Sequence, residues 1–68
     1  MIKYKTEGDY IELIKLLKLV KLAQTGGHAK LLVDEGAVKL NGQVEIRKRA
    51  KIRKGDRLEC NGELIEVE

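Results

Sequence analysis

Residues 37–46 read AVKLNGQVEI. Asn41-Gly42 stands between alternating apolar and polar residues, the signature of a type I′ hairpin, whose two central residues both need positive φ. Upstream, residues 25–36 read TGGHAKLLVDEG. Thr25 is placed to cap a helix, Ala29, Leu32 and Val33 supply its buried face with Leu31 flanking, and Gly36 fits the left-handed position that ends it. Downstream, Lys54-Gly55-Asp56 makes a turn, Leu58 and Cys60 alternate inward, Asn61-Gly62 turns again, and Leu64 to Val67 closes a sheet.

Before this core the sequence "GDYIEL" reads as another helix start. Asp9 is the cap, with Glu12 at capping-box spacing. Tyr10, Leu13, Ile14, Leu17 and Val20, or alternatively Leu16 and Leu19, recur at helical spacing, and the helix ends near Val20. Lys15, Lys18 and Lys21 share its exposed face, which reads equally as a solvated surface or a binding stripe. "KYK" near the N-terminus is a short strand. The fold class is α+β: two packed helices followed by a small, mostly antiparallel sheet, in one domain over residues 1–68 with its core at about 11–67.

Sixty-eight residues with two tyrosines, no Trp and no Phe leave Leu, Ile and Val to build a thin core. The single Cys60 excludes an internal disulfide and a cysteine-based zinc site and is placed as a small core residue. No readable signal peptide and no disulfide suit the cytoplasm. The apolar-looking segment YIELIKLLKLVKLA carries three lysines and cannot span a bilayer. No nucleophile–base pair or metal cluster is visible, so the chain reads as no enzyme, with no cofactor, no metal and no small-molecule substrate. Asp34-Glu35 are adjacent on a helix and do not face each other; they solvate its end. Asp56, in a turn, is expected to bond nearby backbone. His28 reads as a polar surface residue or a ligand contact.

Charge is distributed unevenly. Between Leu13 and Gly55 stand eleven Lys/Arg against three acids, whereas the last thirteen residues hold five acids and one Arg. Seven of the fourteen basic residues fall within Arg47–Arg57, opposed in sequence only by Asp56. Such a field points to a polyanion. The segment EIRKRAKIRKG, residues 45–55, is not a disordered tail, because Ile46, Ala50 and Ile52 interrupt the charges and turns flank it; as a helix it has no cap, and Ile52 leaves the apolar face. In an extended chain Arg47, Arg49, Lys51 and Arg53 point one way and Ile46, Lys48, Ala50 and Ile52 the other. Four such residues cover roughly 20 Å. No aromatic stands in the run, which favours phosphate and sugar contacts over base stacking.

Gly36, Val38, Leu40, Asn41, Gly42, Val44, Ile52, Gly55 and Asp56 resemble, in order and spacing, the RNA-binding domain named after ribosomal protein S-four, also called the αL motif. The resemblance runs from Ile11 to Val67. It extends to the small stand-alone bacterial members of the YaaA/YbcJ type through ELIKLLKL, TGGHAK, EGAVKLNG and EIRKRAKI. It implies a partner in RNA, often structured ribosomal or transfer RNA, and part of the basic stretch is then an irregular crossover; the expected target is ribosomal RNA or a ribosomal particle, in ribosome assembly, bound by a monomer. The chain departs from the family where Glu12 and Thr25-Gly26 stand at helix starts that usually carry basic residues, whereas Lys30 matches a basic position. The expected contact surface comprises Lys15, Lys18 and Lys30 on the helices, Thr25, Gly26, Gly27 and His28 at the second helix start, and Arg47, Lys48, Arg49, Lys51 and Arg53 in the basic segment. Gly26 and Gly27 allow close backbone approach. The competing reading is a basic adaptor for an acidic protein partner or for nucleic acid without specificity. A basic amphipathic helix with large aromatics is missing, which speaks against a membrane role.

Overall fold

Thr25 and Gly36 bracket a helix, and the capping chemistry is the expected one. In the computed structural model, which describes residues 1–68, helix α2 spans Gly26–Asp34. The Thr25 hydroxyl oxygen accepts the His28 backbone N–H at 3.0 Å. At the other end Gly36 has φ +75°. There the N–H groups of Gly36 and Ala37 donate to the carbonyls of Val33 and Leu32 at 3.1 and 3.0 Å, a Schellman closure that satisfies the last turn.

The first helix departs from expectation. Asp9 caps nothing. Instead Ile11–Glu12 form a short strand, β2, antiparallel to β5 at Lys51–Ile52, with Ile11 opposite Ile52 and Glu12 opposite Lys51. Helix α1 then spans Leu13–Leu19. Its first N–H donates to the Ala50 carbonyl, 2.9 Å away, and no side chain caps it. The physical reason is burial: Ile11 and Ile52 both enter the core, and a β-branched pair gains more there than a solvent-exposed cap at Asp9 would. Tyr10 consequently lies outside the helix and is exposed.

Of the two apolar faces offered by α1, Leu13, Leu16 and Leu17 are the ones buried, while Leu19 faces solvent. They pack in one core with Ala29, Leu32 and Val33 of α2. Lys21 is not on the helical stripe. It sits beyond the C-terminus of α1 with φ +64°, its N–H donating to the Lys18 carbonyl at 3.0 Å and that of Leu22 to the Leu17 carbonyl at 3.0 Å.

Below the helices lies a five-stranded sheet. Its strands are β1 (Ile2–Tyr4), β3 (Val38–Leu40), β4 (Gln43–Val44), β6 (Arg57–Cys60) and β7 (Glu63–Val67), in the order β1-β7-β6-β3-β4. Only the β1–β7 pair is parallel. Both Asn-Gly turns have the two positive φ values of a type I′ hairpin, +51° and +88° at Asn41-Gly42 and +52° and +80° at Asn61-Gly62. Val38, Leu58, Cys60, Ile65 and Val67 form the buried face. Ile11, Ala50 and Ile52 of the small β2–β5 ribbon belong to the same core, which ties the ribbon to both layers.

Lys21 holds a left-handed conformation that costs a residue with a Cβ about 1–2 kcal/mol and glycine almost nothing. Lys21→Gly is therefore expected to stabilise the fold by about 1 kcal/mol in urea unfolding; a destabilised variant would show that the lysine side chain contributes more than its backbone costs.

Candidate functional site

The basic segment is a crossover. It leaves the sheet at β4, the edge strand, and enters the ribbon at β5, against the start of α1. Both of its ends are fixed. At the first, the Glu45 N–H donates to the Val38 carbonyl at 2.9 Å, and Glu45 is buried despite its charge. At the second, Ala50 and Ile52 are core residues. Between them the chain turns, with the Ala50 N–H reaching the Arg47 carbonyl at 3.2 Å.

This turn explains where the period-two alternation fails. Only Lys51–Ile52 is regular strand. Ile46, expected to point inward, is 75% exposed, and Lys48 reaches Asp34 on α2 at 3.2 Å. A chain crossing between two sheets cannot keep one pleat. Nevertheless Arg47, Arg49, Lys51 and Arg53 line a single open cleft of about 510 Å³ together with Ala50. Arg49 also lines a second cleft, of about 440 Å³, with Lys15, Lys18, Lys30, Ile14 and Glu12. The arginine joins the two into one basic surface.

Acids oppose the run from its own flanks and from the start of α1. Glu45 holds Arg47 three ways: Oε2 accepts the Arg47 backbone N–H at 2.9 Å and Nε–H at 3.1 Å, and Oε1 accepts Nη2–H at 3.0 Å. Glu12 accepts Arg49 Nε–H at 3.0 Å. Asp56 fixes the following turn, Oδ2 accepting the Arg53 backbone N–H at 2.8 Å and Oδ1 the Asn41 amide at 3.1 Å. Exposed ion pairs add little stability. Their effect here is geometric: a guanidinium held by one edge keeps other N–H groups turned to solvent, where they can bind an anion in a fixed direction.

The start of α2 is separate from these clefts. Thr25, Gly26, Gly27 and His28 line none of them. The Thr25 hydroxyl is engaged as the cap, and His28 Nδ1 accepts the Gln24 N–H at 3.2 Å. A side chain at Gly26 would meet open space, so the fold itself does not require glycine there.

One residue of the surface was not foreseen. The Tyr10 ring lies against the basic strand, 5.0 Å from Lys51 Nζ and 6.0 Å from the Arg53 guanidinium carbon. The basic run holds no aromatic in sequence but acquires one in space, and only the β2–β5 register puts it there. Glu45 and Glu12 were also missed as partners. Glu45, two residues before Arg47, was legible as a same-side neighbour; Glu12 was not, because its contact depends on the same ribbon. Cys60 is buried, which pushes its thiol pKa up and keeps it an unreactive core residue. No three His, Cys, Asp or Glu side chains gather as a metal site, and no helix is long and apolar enough to cross a membrane.

Comparison with known proteins bears on this surface. A family model described as the S4 domain matches residues 4–68. The chain is similar to YbcJ of Escherichia coli (strain K12), 41% identical over 58 residues that cover 85% of this chain and 83% of that protein. YbcJ of Shigella flexneri matches with the same identity and coverage. The solution structure of YbcJ from E. coli, which reveals an αL motif involved in RNA binding, matches with a TM-score of 0.75 and 37% identity over 98% of this chain and 86% of that one.

Glu45 supplies the test of how the crossover is anchored. Its side-chain and backbone hydrogen bonds from Arg47 hold the carboxyl pKa below its ordinary value of 4.5. A depressed folded-state pKa contributes stability that is present above the ordinary value and lost as pH falls through the folded one. In urea unfolding, Glu45→Gln is expected to be less stable than wild type at pH 7, with the gap narrowing as pH falls below 4.5. A gap independent of pH would show that the charge is not what anchors the segment.

Proposed function

The chain belongs to the S4 domain family, and on that premise we propose that it is a non-enzymatic RNA-binding protein that docks structured RNA by its phosphates. The observation that carries this reading is the convergence of Arg47, Arg49, Lys51 and Arg53 on one cleft, continued through Arg49 to Lys15, Lys18 and Lys30. Seven cations on one continuous surface match the sign of a folded RNA backbone, and the held arginines suit bidentate contact with phosphate. The involvement of the YbcJ αL motif in RNA binding supports the same partner. Ribosomal RNA, met during ribosome assembly by a cytoplasmic monomer, is the proposed target. Lys48 and the α2 start, Thr25 to His28, are proposed as outer contacts, with Gly26 and Gly27 leaving a phosphate room to approach.

If about five phosphates are neutralised, log affinity for an RNA hairpin should fall against log salt with a slope of roughly −3.5 to −4.5. A nearly flat slope would rule out phosphate docking. Crosslinking in cells followed by sequencing of bound RNA should recover ribosomal RNA with wild type and lose it with an Arg47/Arg49/Lys51→Ala variant; equal recovery from both would refute the surface. Glu12→Gln removes a negative charge from beside Arg49 and is expected to raise hairpin affinity by roughly threefold, as read by a gel-shift titration at low salt. Weaker binding would show that the direction Glu12 gives Arg49 outweighs the negative charge it adds to the surface.

A further inference from the structure

We propose that Tyr10 is a stacking platform for one unpaired nucleobase of the RNA whose backbone occupies the neighbouring basic cleft. The inference rests on the RNA-binding reading and adds to it a site for a base. Tyr10 is 41% exposed, a large ring that the core does not use. Lys51 and Arg53, two cations of the basic cleft, stand against it. They bring phosphate-binding groups to within one nucleotide's reach of an aromatic face, the pairing from which single-stranded recognition is built. The lysine stem is flexible, so its ammonium can leave the ring for a phosphate and free the π face.

The space beside the ring fits the same occupant. Tyr10 borders an open cleft of about 620 Å³, lined also by Tyr4, Ile11, Leu19, Lys15, Glu7 and Glu12. Tyr4, Tyr10, Ile11 and Leu19 give it an apolar and aromatic part, and Glu7, Glu12 and Lys15 a charged one. Its two carboxylates outnumber its one cation, Lys15, and disfavour a phosphate, so the group that enters is the neutral base, while the charged backbone stays with the basic cleft of Lys51 and Arg53. Leu19, the one α1 leucine left 52% exposed, supplies apolar surface within that cleft. The preferred RNA is therefore a hairpin with a bulged or flipped nucleotide rather than a continuous duplex, in which every base is already stacked.

Two RNA hairpins closed by the same compact loop of stacked bases test this, one with a fully paired stem and one with a single bulged adenosine in the stem. Stacking on an aromatic side chain is worth roughly 5- to 150-fold in affinity. Tyr10→Leu, at a position outside the core, should lose about that factor for the bulged hairpin and leave the paired one unchanged, while Tyr10→Phe retains both. Tyrosine fluorescence gives a second readout: the chain has two tyrosines and no tryptophan, so in Tyr4→Phe protein Tyr10 is the sole emitter, quenched by the bulged hairpin and not by the paired one. Equal loss on both hairpins, or fluorescence indifferent to the bulge, overturns the stacking site and leaves phosphate docking standing. Failure of wild type to bind either hairpin overturns the RNA-binding reading and this inference together.

Discussion

The Leu13 N–H reaches the Ala50 carbonyl at 2.9 Å, and the organisation of the molecule follows from that bond. A helix start needs partners for its free N–H groups. Most helices find them in a side chain of their own cap. Here α1 takes one from the end of the basic crossover, and the pairing of Ile11 with Ile52 buries both residues beside it. The helix and the charged segment therefore form as one unit. The Lys15–Lys18 stripe and the Arg47–Arg53 cleft have a fixed relation because they share this junction, and Arg49 lines both because it immediately precedes Ala50.

Packing so many cations together costs electrostatic energy, and the fold offsets part of it with acids placed at three points. Glu45 meets Arg47, Asp34 meets Lys48 and Glu12 meets Arg49. Lys15, Lys18, Lys30, Lys51 and Arg53 have no carboxylate within ion-pair distance. The surface is thus divided into residues whose direction is set and residues free to adjust. The first kind lose less conformational freedom when an anion binds; the second supply reach.

What was legible in the sequence was local. The Thr25 cap, the Gly36 stop and the two Asn-Gly hairpins are written in residues adjacent along the chain, and steric rules at positive φ leave few alternatives. Burial of Ala50 and Ile52 followed from their spacing among charges. The rest depended on contacts between remote segments. Asp9 and Glu12 satisfy the spacing of a capping box, yet the strand pairing of Ile11 removes them from the helix. Lys21 continues a three-residue lysine rhythm, yet the helix stops two residues earlier. Tyr10 has no local signal for its place beside Lys51 and Arg53; the ribbon register alone puts it there. The family resemblance carried the fold further than periodicity could, and it anticipated the irregular crossover that interrupts the arginine alternation.

The proposed RNA contact is directional: it uses the crossover and α1 side and leaves out the outer face of the sheet, where Lys39 stands opposite Glu59. Backbone and side-chain NMR shifts followed during titration with an RNA hairpin test this most directly. The account predicts the largest changes at Lys15, Lys18, Lys30 and Arg47 to Arg53, with little movement at Lys39 and Glu59. Changes concentrated on the outer sheet face, or spread evenly over the chain, would contradict it.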